Sequence, residues 1–261
     1  MKGRSLTCWS VRLLGWSCLL VLLSPILYAC WVSFTPGELL TPPAGDWSLR
    51  WYRSFFGDRR WLRALESSLK VAGLSVAGSL LSGLPLAYSS ARWQFYGRGL
   101  LARIVLLPLG VPAVVLGVGL LPTVYALGLW GSPVALALAH TLLGLPVVYL
   151  LARTALEAVG PDLEWAARGL GATPWRAALR VSLPLTRPAI AAGAILALIL
   201  SLNEFVLSLF LATPETETLP RVVWPNLRYS LSPLVAAASG ILMAITAAGA
   251  ALVGWLWLRQ R

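Results

Sequence analysis

Six apolar runs, each long enough to form a membrane-spanning helix, dominate this chain of 261 residues. A helix needs about 20 apolar residues to cross the hydrocarbon core of a bilayer. Only 12% of the residues are charged and 58% are hydrophobic, whereas an average soluble domain carries about 25% charged residues. The sequence therefore predicts an all-α, polytopic membrane protein in which six transmembrane helices form a bundle.

Proline positions help to place the ends of these spans. Ser132-Pro133, Arg187-Pro188 and Ser232-Pro233 each put a proline at the first helical position, where its missing N–H has no intrahelical partner, and a preceding serine can cap the helix. We expect one transmembrane domain over residues 1–261, with spans at about 10–33, 67–90, 101–127, 133–154, 188–211 and 233–258. Bent or broken helices are expected in the third and fourth spans, which contain Pro108, Pro112, Pro122 and Pro146.

The surplus of basic residues indicates the orientation of the chain. Lys and Arg number 21 against 10 Asp and Glu, and they punctuate the apolar runs instead of forming one patch, so no nucleic-acid partner is expected. Because inner loops of membrane proteins carry an excess of Lys and Arg, this distribution predicts that both termini are cytoplasmic. The outer segment of residues 34–64 differs, since it interleaves arginines with aromatic residues and is typical of a segment at the membrane surface.

The longest predicted inner loop, residues 156–186, has a helix–break–helix pattern. Asp162 and Glu164 lie where the first turn of a helix favours acids, and Gly171 is placed to end that helix with a left-handed residue. Thr173-Pro174 then begins a second helix. Two short helices between two spans predict a cytoplasmic elbow suited to docking. The alternative is an amphipathic helix on the membrane surface, with its arginines reaching the head groups.

This elbow resembles the loop signature of permease subunits of type I ABC importers, which reads Glu-Ala-Ala, three residues, Gly, nine residues, Ile, one residue, Leu-Pro. The signature's isoleucine falls at Val181 and its glutamate falls at Trp165, one position after Glu164. Either Glu164 substitutes from the neighbouring position, or the chain docks without that carboxylate. The resemblance implies that the elbow docks on an ATPase through Glu164, Trp165, Ala166, Ala167, Gly171, Leu183 and Pro184.

Shorter stretches extend the resemblance over most of the chain and are most similar to the polyamine-type permeases. These stretches are Glu66-Ser67-Ser68-Leu69-Lys70-Val71-Ala72, Ala139-His140-Thr141, Leu145-Pro146, Leu202-Asn203-Glu204-Phe205, Thr218-Leu219-Pro220 and Leu231-Ser232-Pro233. The resemblance implies the partners of such an importer: ABC ATPase subunits, a second permease and an extracytoplasmic solute-binding protein. It also implies a multi-pass location in the cytoplasmic (inner) membrane of a bacterium or archaeon, and transport by alternating access.

Several alternatives for the function stay open at this point. Related importers for ferric iron, thiamine or an anion share similar turns, and a membrane scaffolding or assembly protein would also contain several spans. An enzymatic role is not expected, because neither Lys2 nor Lys70 has the setting of a G-x-x-x-x-G-K-[S/T] phosphate loop. The chain is therefore expected to bind no cofactor itself, and ATP with Mg²⁺ would be used by the partner ATPase.

Glu204 is an ionisable residue inside the predicted fifth span. With Pro188 as the inner start of that span, Glu204 lies about 24 Å along the helix at 1.5 Å per residue, in the outer half of the membrane. An acidic group at that depth usually faces a cavity or a partner. It would either line the solute path and favour cations, or bond to the second permease. Ser201, Glu204, Phe205 and Ser208 are predicted to share one face of this helix, with Asn203 adjacent. The predicted path residues are Ser201, Asn203, Glu204 and Ser208.

Overall fold

The computed structural model describes residues 3–258, and every regular element in that range is a helix, which confirms the all-α prediction. Lys2, Arg259 and Arg261, on which the predicted orientation of the termini partly depends, lie outside the described residues. The α-helices are α1 (Gly3–Val32), α2 (Arg50–Gly57), α3 (Arg59–Arg92), α4 (Arg98–Gly110), α5 (Ala113–Ala126), α6 (Pro133–Val159), α7 (Asp162–Gly169), α8 (Pro174–Ala177), α9 (Leu183–Asn203), α10 (Val206–Leu211), α11 (Leu219–Tyr229) and α12 (Pro233–Leu258).

Among the described residues, five helices are long and apolar enough to cross a membrane: Val11–Val32, Arg59–Arg92, Pro133–Val159, Pro174–Asn203 and Pro233–Trp255. Helices α4 and α5 meet the same criterion only when they are taken together, and the angle between them is 106°. They supply a sixth span only if the two helices are counted as one span. The bend lies at Val111, which is extended with φ −96° and ψ 127° because a residue before proline avoids the helical region. The predicted break therefore occurs at Pro112, whereas α6 continues as one helix through Pro146.

The fifth predicted span, 188–211, differs from the helices observed there. The helical stretch begins at Pro174, and a π-helical turn over Ala178–Ser182 leads directly into α9. Pro184 does not end this helical stretch, because the wider π turn leaves room for a proline ring next to it. At the other end α9 stops at Asn203, well before residue 211.

One compact unit comprises Met1–Arg59 and Val223–Met243. Within it, Tyr52 of α2 hydrogen-bonds through its hydroxyl to Ser33 Oγ at 2.8 Å and stacks at 5.4 Å from the ring of Phe34. Gly240 of α12 admits this hydroxyl, since a Cβ there would lie 2.9 Å from Tyr52 Oη. The aromatic residues of the predicted surface segment thus pack α2 against the end of α1 and against α12.

The second unit comprises Arg60–Val222 and Ala244–Arg261 and contains α4 to α10. Close approach of α3, α6 and α9 depends on small residues, as expected where lipid supplies no hydrophobic drive between helices. A Cβ on Gly144 would lie 2.5 Å from Ser79 Oγ and 3.0 Å from Ala197 Cβ, and one on Gly193 would lie 3.2 Å from Val148 Cα. The predicted small-residue face of α3 is buried in this unit: Ser75, Ser79, Gly83 and Ala87.

Candidate functional site

The elbow between α6 and α9 is fixed by a helix-capping motif. Gly171 has φ +91°, its N–H bonds to Arg168 O at 3.0 Å, and the N–H of Ala172 bonds to Ala167 O at 3.0 Å. This pair of bonds is a Schellman motif, which ends a helix with a left-handed residue that is usually glycine. Thr173 accepts a hydrogen bond from the N–H of Arg176 at 3.3 Å and caps the next helix. The predicted helix–break–helix pattern is present, with its corner at Gly171.

The side chain of Glu164 is buried, since only 6% of the residue is exposed. Its carboxylate accepts hydrogen bonds from Arg92 Nε at 2.7 Å, from Tyr88 Oη at 2.8 Å and from Ser182 Oγ. Arg92 also donates through Nη1 to Leu156 O at 2.8 Å. The carboxylate of α7 therefore joins α3 to the π turn, and Arg92 extends the network to the backbone of α6.

Two opposing effects set the pKa of Glu164. Burial by itself would raise the pKa of this carboxyl, because it disfavours the charged form. Hydrogen bonds from Ser182, Arg92 and Tyr88, together with the charge of Arg92, favour the carboxylate and hold its pKa below the ordinary value. The carboxylate is therefore ionised at neutral pH and paired with Arg92.

The next residue, Trp165, lies on the outside of the elbow with 61% of its surface exposed. Leu170 at the corner is 90% exposed, and Trp175 in the second short helix is 72% exposed. The remaining residues of the predicted docking set are exposed or half-buried: Ala166, Ala167, Gly171, Leu183 and Pro184. The predicted set is thus split, with Glu164 facing the bundle and Trp165 facing outward.

A second candidate region is the break between α9 and α10. Glu204 has an extended backbone, with φ −76° and ψ 114°, and separates the two helices. Its Oε1 accepts a hydrogen bond from the N–H of Leu207 at 2.9 Å and so satisfies a backbone donor in the first turn of α10. The prediction that Ser201, Glu204 and Ser208 share the face of one helix is wrong, because the helix is interrupted between Asn203 and Val206.

The four predicted path residues have different surroundings. Ser201 is buried with its Oγ 2.8 Å from His140 Nδ1, and Ser208 is buried and accepts a hydrogen bond from Thr218 Oγ1 at 2.9 Å. Asn203 is exposed and Glu204 is half-buried. Glu204 Oε2 has no hydrogen-bond partner among residues 3–258. Of the four, Asn203 and Glu204 are the two that are not buried.

Two charged residues that follow α10 in the sequence, Glu217 and Arg221, form hydrogen bonds that stabilise this region. Arg221 donates through Nη1 to the carbonyl oxygens of Ser208 at 3.0 Å and of Ala212, so it caps the C-terminal end of α10. Glu217 is buried and pairs with Arg60 through bonds of 2.7 and 3.2 Å. Glu204 thus accepts a hydrogen bond from a backbone N–H at the start of α10, and Arg221 donates to backbone carbonyl oxygens at its end.

Sequence patterns missed the partners of these acids. In the sequence, Arg92 and Arg60 are recognisable only as basic residues of an inner and an outer segment. Nothing in the sequence indicates that Tyr88 and Ser182 bond to a carboxylate. A usable signal existed in the scarcity of acids: only 10 Asp and Glu occur in the chain, and a carboxylate in a membrane protein needs a partner or a cavity. The sequence does not indicate which arginine each acid meets, because the pairs are 72 and 157 residues apart.

Comparisons with known proteins agree with this architecture. A family model described as "Binding-protein-dependent transport system inner membrane component" matches residues 83–261. The putrescine transport system permease protein PotI of Escherichia coli K12 is 31% identical over 241 residues, which cover 89% of this chain and 84% of that protein. The molybdenum transport system permease protein ModB of the same strain is 35% identical over 183 residues, covering 64% of this chain and 80% of ModB.

A solved structure shows the same fold over nearly the whole chain. It belongs to a bacterial ABC transporter involved in the import of the acidic polysaccharide alginate, with a TM-score of 0.70 and 20% identity, covering 98% of this chain and 96% of that one. The family model alone covers more than half of the sequence. The chain therefore belongs to the family of inner-membrane components of binding-protein-dependent transport systems, the permease subunits of ABC importers.

Proposed function

We propose that this chain forms half of the solute path of an ATP-driven importer and couples to a separate ATPase through the elbow at residues 160–184. The single observation that carries the coupling role is the elbow itself. Its corner is fixed at Gly171, and Glu164 ties it to the end of α3 through Arg92. Because Glu164 is bonded to α3 and the π turn runs directly into α9, a displacement of the elbow by a partner moves α3 and α9 with it.

The proposed partners are those of a binding-protein-dependent importer. A second permease completes the path, two ATPase copies hydrolyse ATP with Mg²⁺, and an extracytoplasmic binding protein delivers the solute. This chain contributes no catalytic group and holds no cofactor in the proposal. It resides as a multi-pass protein in the inner membrane, with both termini and the elbow on the cytoplasmic side, and the whole chain of residues 1–261 acts as one permease domain.

The proposed solute is a polyamine. The similarity to PotI, which covers most of both chains, supports this choice. Glu204 supplies a matching chemistry, because its Oε2 has no partner among residues 3–258 and the adjacent exposed Asn203 offers its amide oxygen, while its Nδ2 donates to Ile199 O at 2.8 Å. A carboxylate at this position attracts an alkylammonium group and repels an anion.

An oxyanion is the second candidate, because ModB is similar to a shorter part of the chain. An anion path would place basic or N–H groups at the break between α9 and α10. Arg221, the nearby cation, is instead committed to the carbonyl oxygens of Ser208 and Ala212. The electrostatics at Glu204 therefore favour the cationic solute. Uptake of labelled putrescine and of labelled molybdate, measured separately in the same vesicles, distinguishes the two candidates, since each solute accumulates only in its own case.

Co-purification tests the docking role of the elbow. Gly171→Val places a β-branched residue at φ +91°, a conformation that costs an L-residue about 1–2 kcal/mol or more. We expect this variant to insert into the membrane and to lose the ATPase subunit during purification. Gly169→Ala is the matched control, because Gly169 lies within α7 with nothing within 4 Å of a Cβ. Equal retention of the ATPase by both variants would contradict elbow docking.

A further inference from the structure

The elbow surface carries an aromatic residue where an acid is expected from the loop signature. The neighbouring acid, Glu164, has its carboxylate occupied by Arg92, Tyr88 and Ser182 and is 6% exposed. It cannot reach a partner without breaking a buried ion pair. Trp165 is then the side chain that the elbow presents at this place, so a docking ion pair through Glu164 is unavailable.

The charge of the exposed elbow surface is positive. Arg168, Arg176 and Arg180 are exposed, and none of them has an ion-pair or hydrogen-bond partner through its guanidinium among residues 3–258. Asp162 is the one exposed acid between residues 160 and 185, because Glu164 is buried. Three unpaired arginines against one acid require an acidic partner surface for charge complementarity.

The exposed apolar groups of α7 lie on two sides of the helix. Leu163 and Trp165 are two residues apart, and at about 100° per residue they point roughly 160° away from each other. Leu170 lies near Leu163 around the helix and Trp165 lies opposite, and all three side chains are exposed. A bilayer surface can cover only one side of a helix, whereas a protein groove can cover both. The distribution therefore favours a protein partner over lipid.

We infer that the elbow docks into an apolar groove with an acidic rim on the importer's ATPase, which Trp165 enters on one side of α7 and Leu170 on the other. This inference rests on the proposed function, which supplies the identity of the partner. Trp and Arg are the residue types that most often dominate the binding energy of protein interfaces, with Trp filling a pocket from which water is excluded. The arginines at the rim set the rate and salt dependence of association.

The test measures the dissociation constant between the purified permease and the importer's ATPase subunit, across three substitutions at one position. Trp165→Ala is expected to weaken binding tenfold or more, as for an interface hot spot, and Trp165→Phe to recover most of the affinity. Trp165→Glu, which restores the residue of the loop signature, is expected to weaken binding at least as much as Trp165→Ala. Trp16→Ala is the control, because Trp16 is equally exposed at 66% but lies in α1.

Tighter binding by Trp165→Glu than by the native chain would overturn the inference, since the partner would then offer a basic residue instead of an acidic-rimmed pocket. Unchanged binding by Trp165→Ala would also overturn it and would indicate that lipid, not the ATPase, covers Trp165. Both results leave the proposed function intact as long as the native chain binds the ATPase and Gly171→Val does not. Arg176→Glu is expected to weaken binding and to reduce its salt dependence, and an increase in affinity would contradict the acidic rim.

Discussion

Arg92 Nε lies 2.7 Å from Glu164 Oε1, and this pair joins the last residue of α3 to the first short helix of the elbow. Both side chains are less than one-tenth exposed. A buried ion pair of this kind contributes little net stability, but removal of one partner costs roughly 3–5 kcal/mol because the other charge is left buried and unpaired. The pair therefore acts as a specific attachment that fixes where the elbow sits on this end of α3.

Removal of one member of this pair is expected to loosen the elbow. Glu164→Leu leaves Arg92 buried without its carboxylate, so the amide hydrogens of α7 should exchange faster, while those of α6 change little. The double variant Arg92→Met with Glu164→Leu removes both charges and should recover much of the protection. Hydrogen exchange followed by mass spectrometry measures this, and equal exchange in the single variant and the native chain would contradict the attachment.

Acid is expected to release the same attachment. The folded-state pKa of Glu164 lies below its ordinary value, so the stabilisation is fully present above the ordinary carboxyl pKa of about 4.3 and is lost as pH falls through the depressed value. Exchange of the α7 amides, corrected for intrinsic rates, should therefore be constant through neutral pH and rise only in acid. Glu164→Gln should show no such step. A step near pH 6 to 7 in the native chain would mean that the pKa is raised instead.

Two substitutions at Glu204 separate its charge from its hydrogen bond. Glutamine retains an oxygen that can accept the N–H of Leu207, whereas alanine removes this cap of α10. Glu204→Gln should therefore reduce uptake of a cationic solute without reducing assembly of the complex. Glu204→Ala should reduce uptake and also lower thermal stability by about 1 kcal/mol, the usual contribution of a cap. Unchanged uptake by the glutamine variant would remove Glu204 from the solute path.

Helix packing in the second unit predicts a contrast between two glycines. Gly144→Ala places a Cβ 2.5 Å from Ser79 Oγ and 3.0 Å from Ala197 Cβ, so the Ser79 hydroxyl must rotate away and Ala197 must move by a few tenths of an ångström. Overpacking of this kind typically costs about 1–3 kcal/mol. Gly119→Ala in α5 meets nothing within 4 Å and should be neutral or slightly stabilising. Thermal unfolding in detergent compares the two, and equal melting temperatures would contradict the close packing at Gly144.

Local features of this fold were predictable from the sequence because their causes are local. Gly171 and Thr173 mark the corner and the cap of the elbow, and the structure places the left-handed residue and the capping bond at those positions. Pro112 breaks the third predicted span, since proline disfavours the helical conformation of the residue before it, whereas Pro146 leaves α6 unbroken. The small-residue face of α3 likewise follows from a spacing of four residues.

Long-range relationships were not predictable in this way. Which of Glu164 and Trp165 faces the bundle depends on where the Arg92 side chain lies in the folded chain. Glu164 and Glu217 are each paired with an arginine that is far away in the sequence. The break at Glu204 has no proline or glycine to signal it. It is held instead by Leu207, Arg221 and the loop that carries Glu217. The π turn before α9 also has no sequence signal of its own, so both ends of the fifth span were misplaced.

The most direct test of the central claim is ATP-dependent uptake of radiolabelled putrescine by proteoliposomes that contain this chain, its second permease, the ATPase and the binding protein. The expected result is accumulation of putrescine that requires ATP inside the vesicles and the binding protein outside, with loss of uptake on Gly171→Val and no competition by molybdate. Uptake that proceeds without ATP, or accumulation of molybdate but not putrescine by the same vesicles, would contradict the proposed polyamine importer.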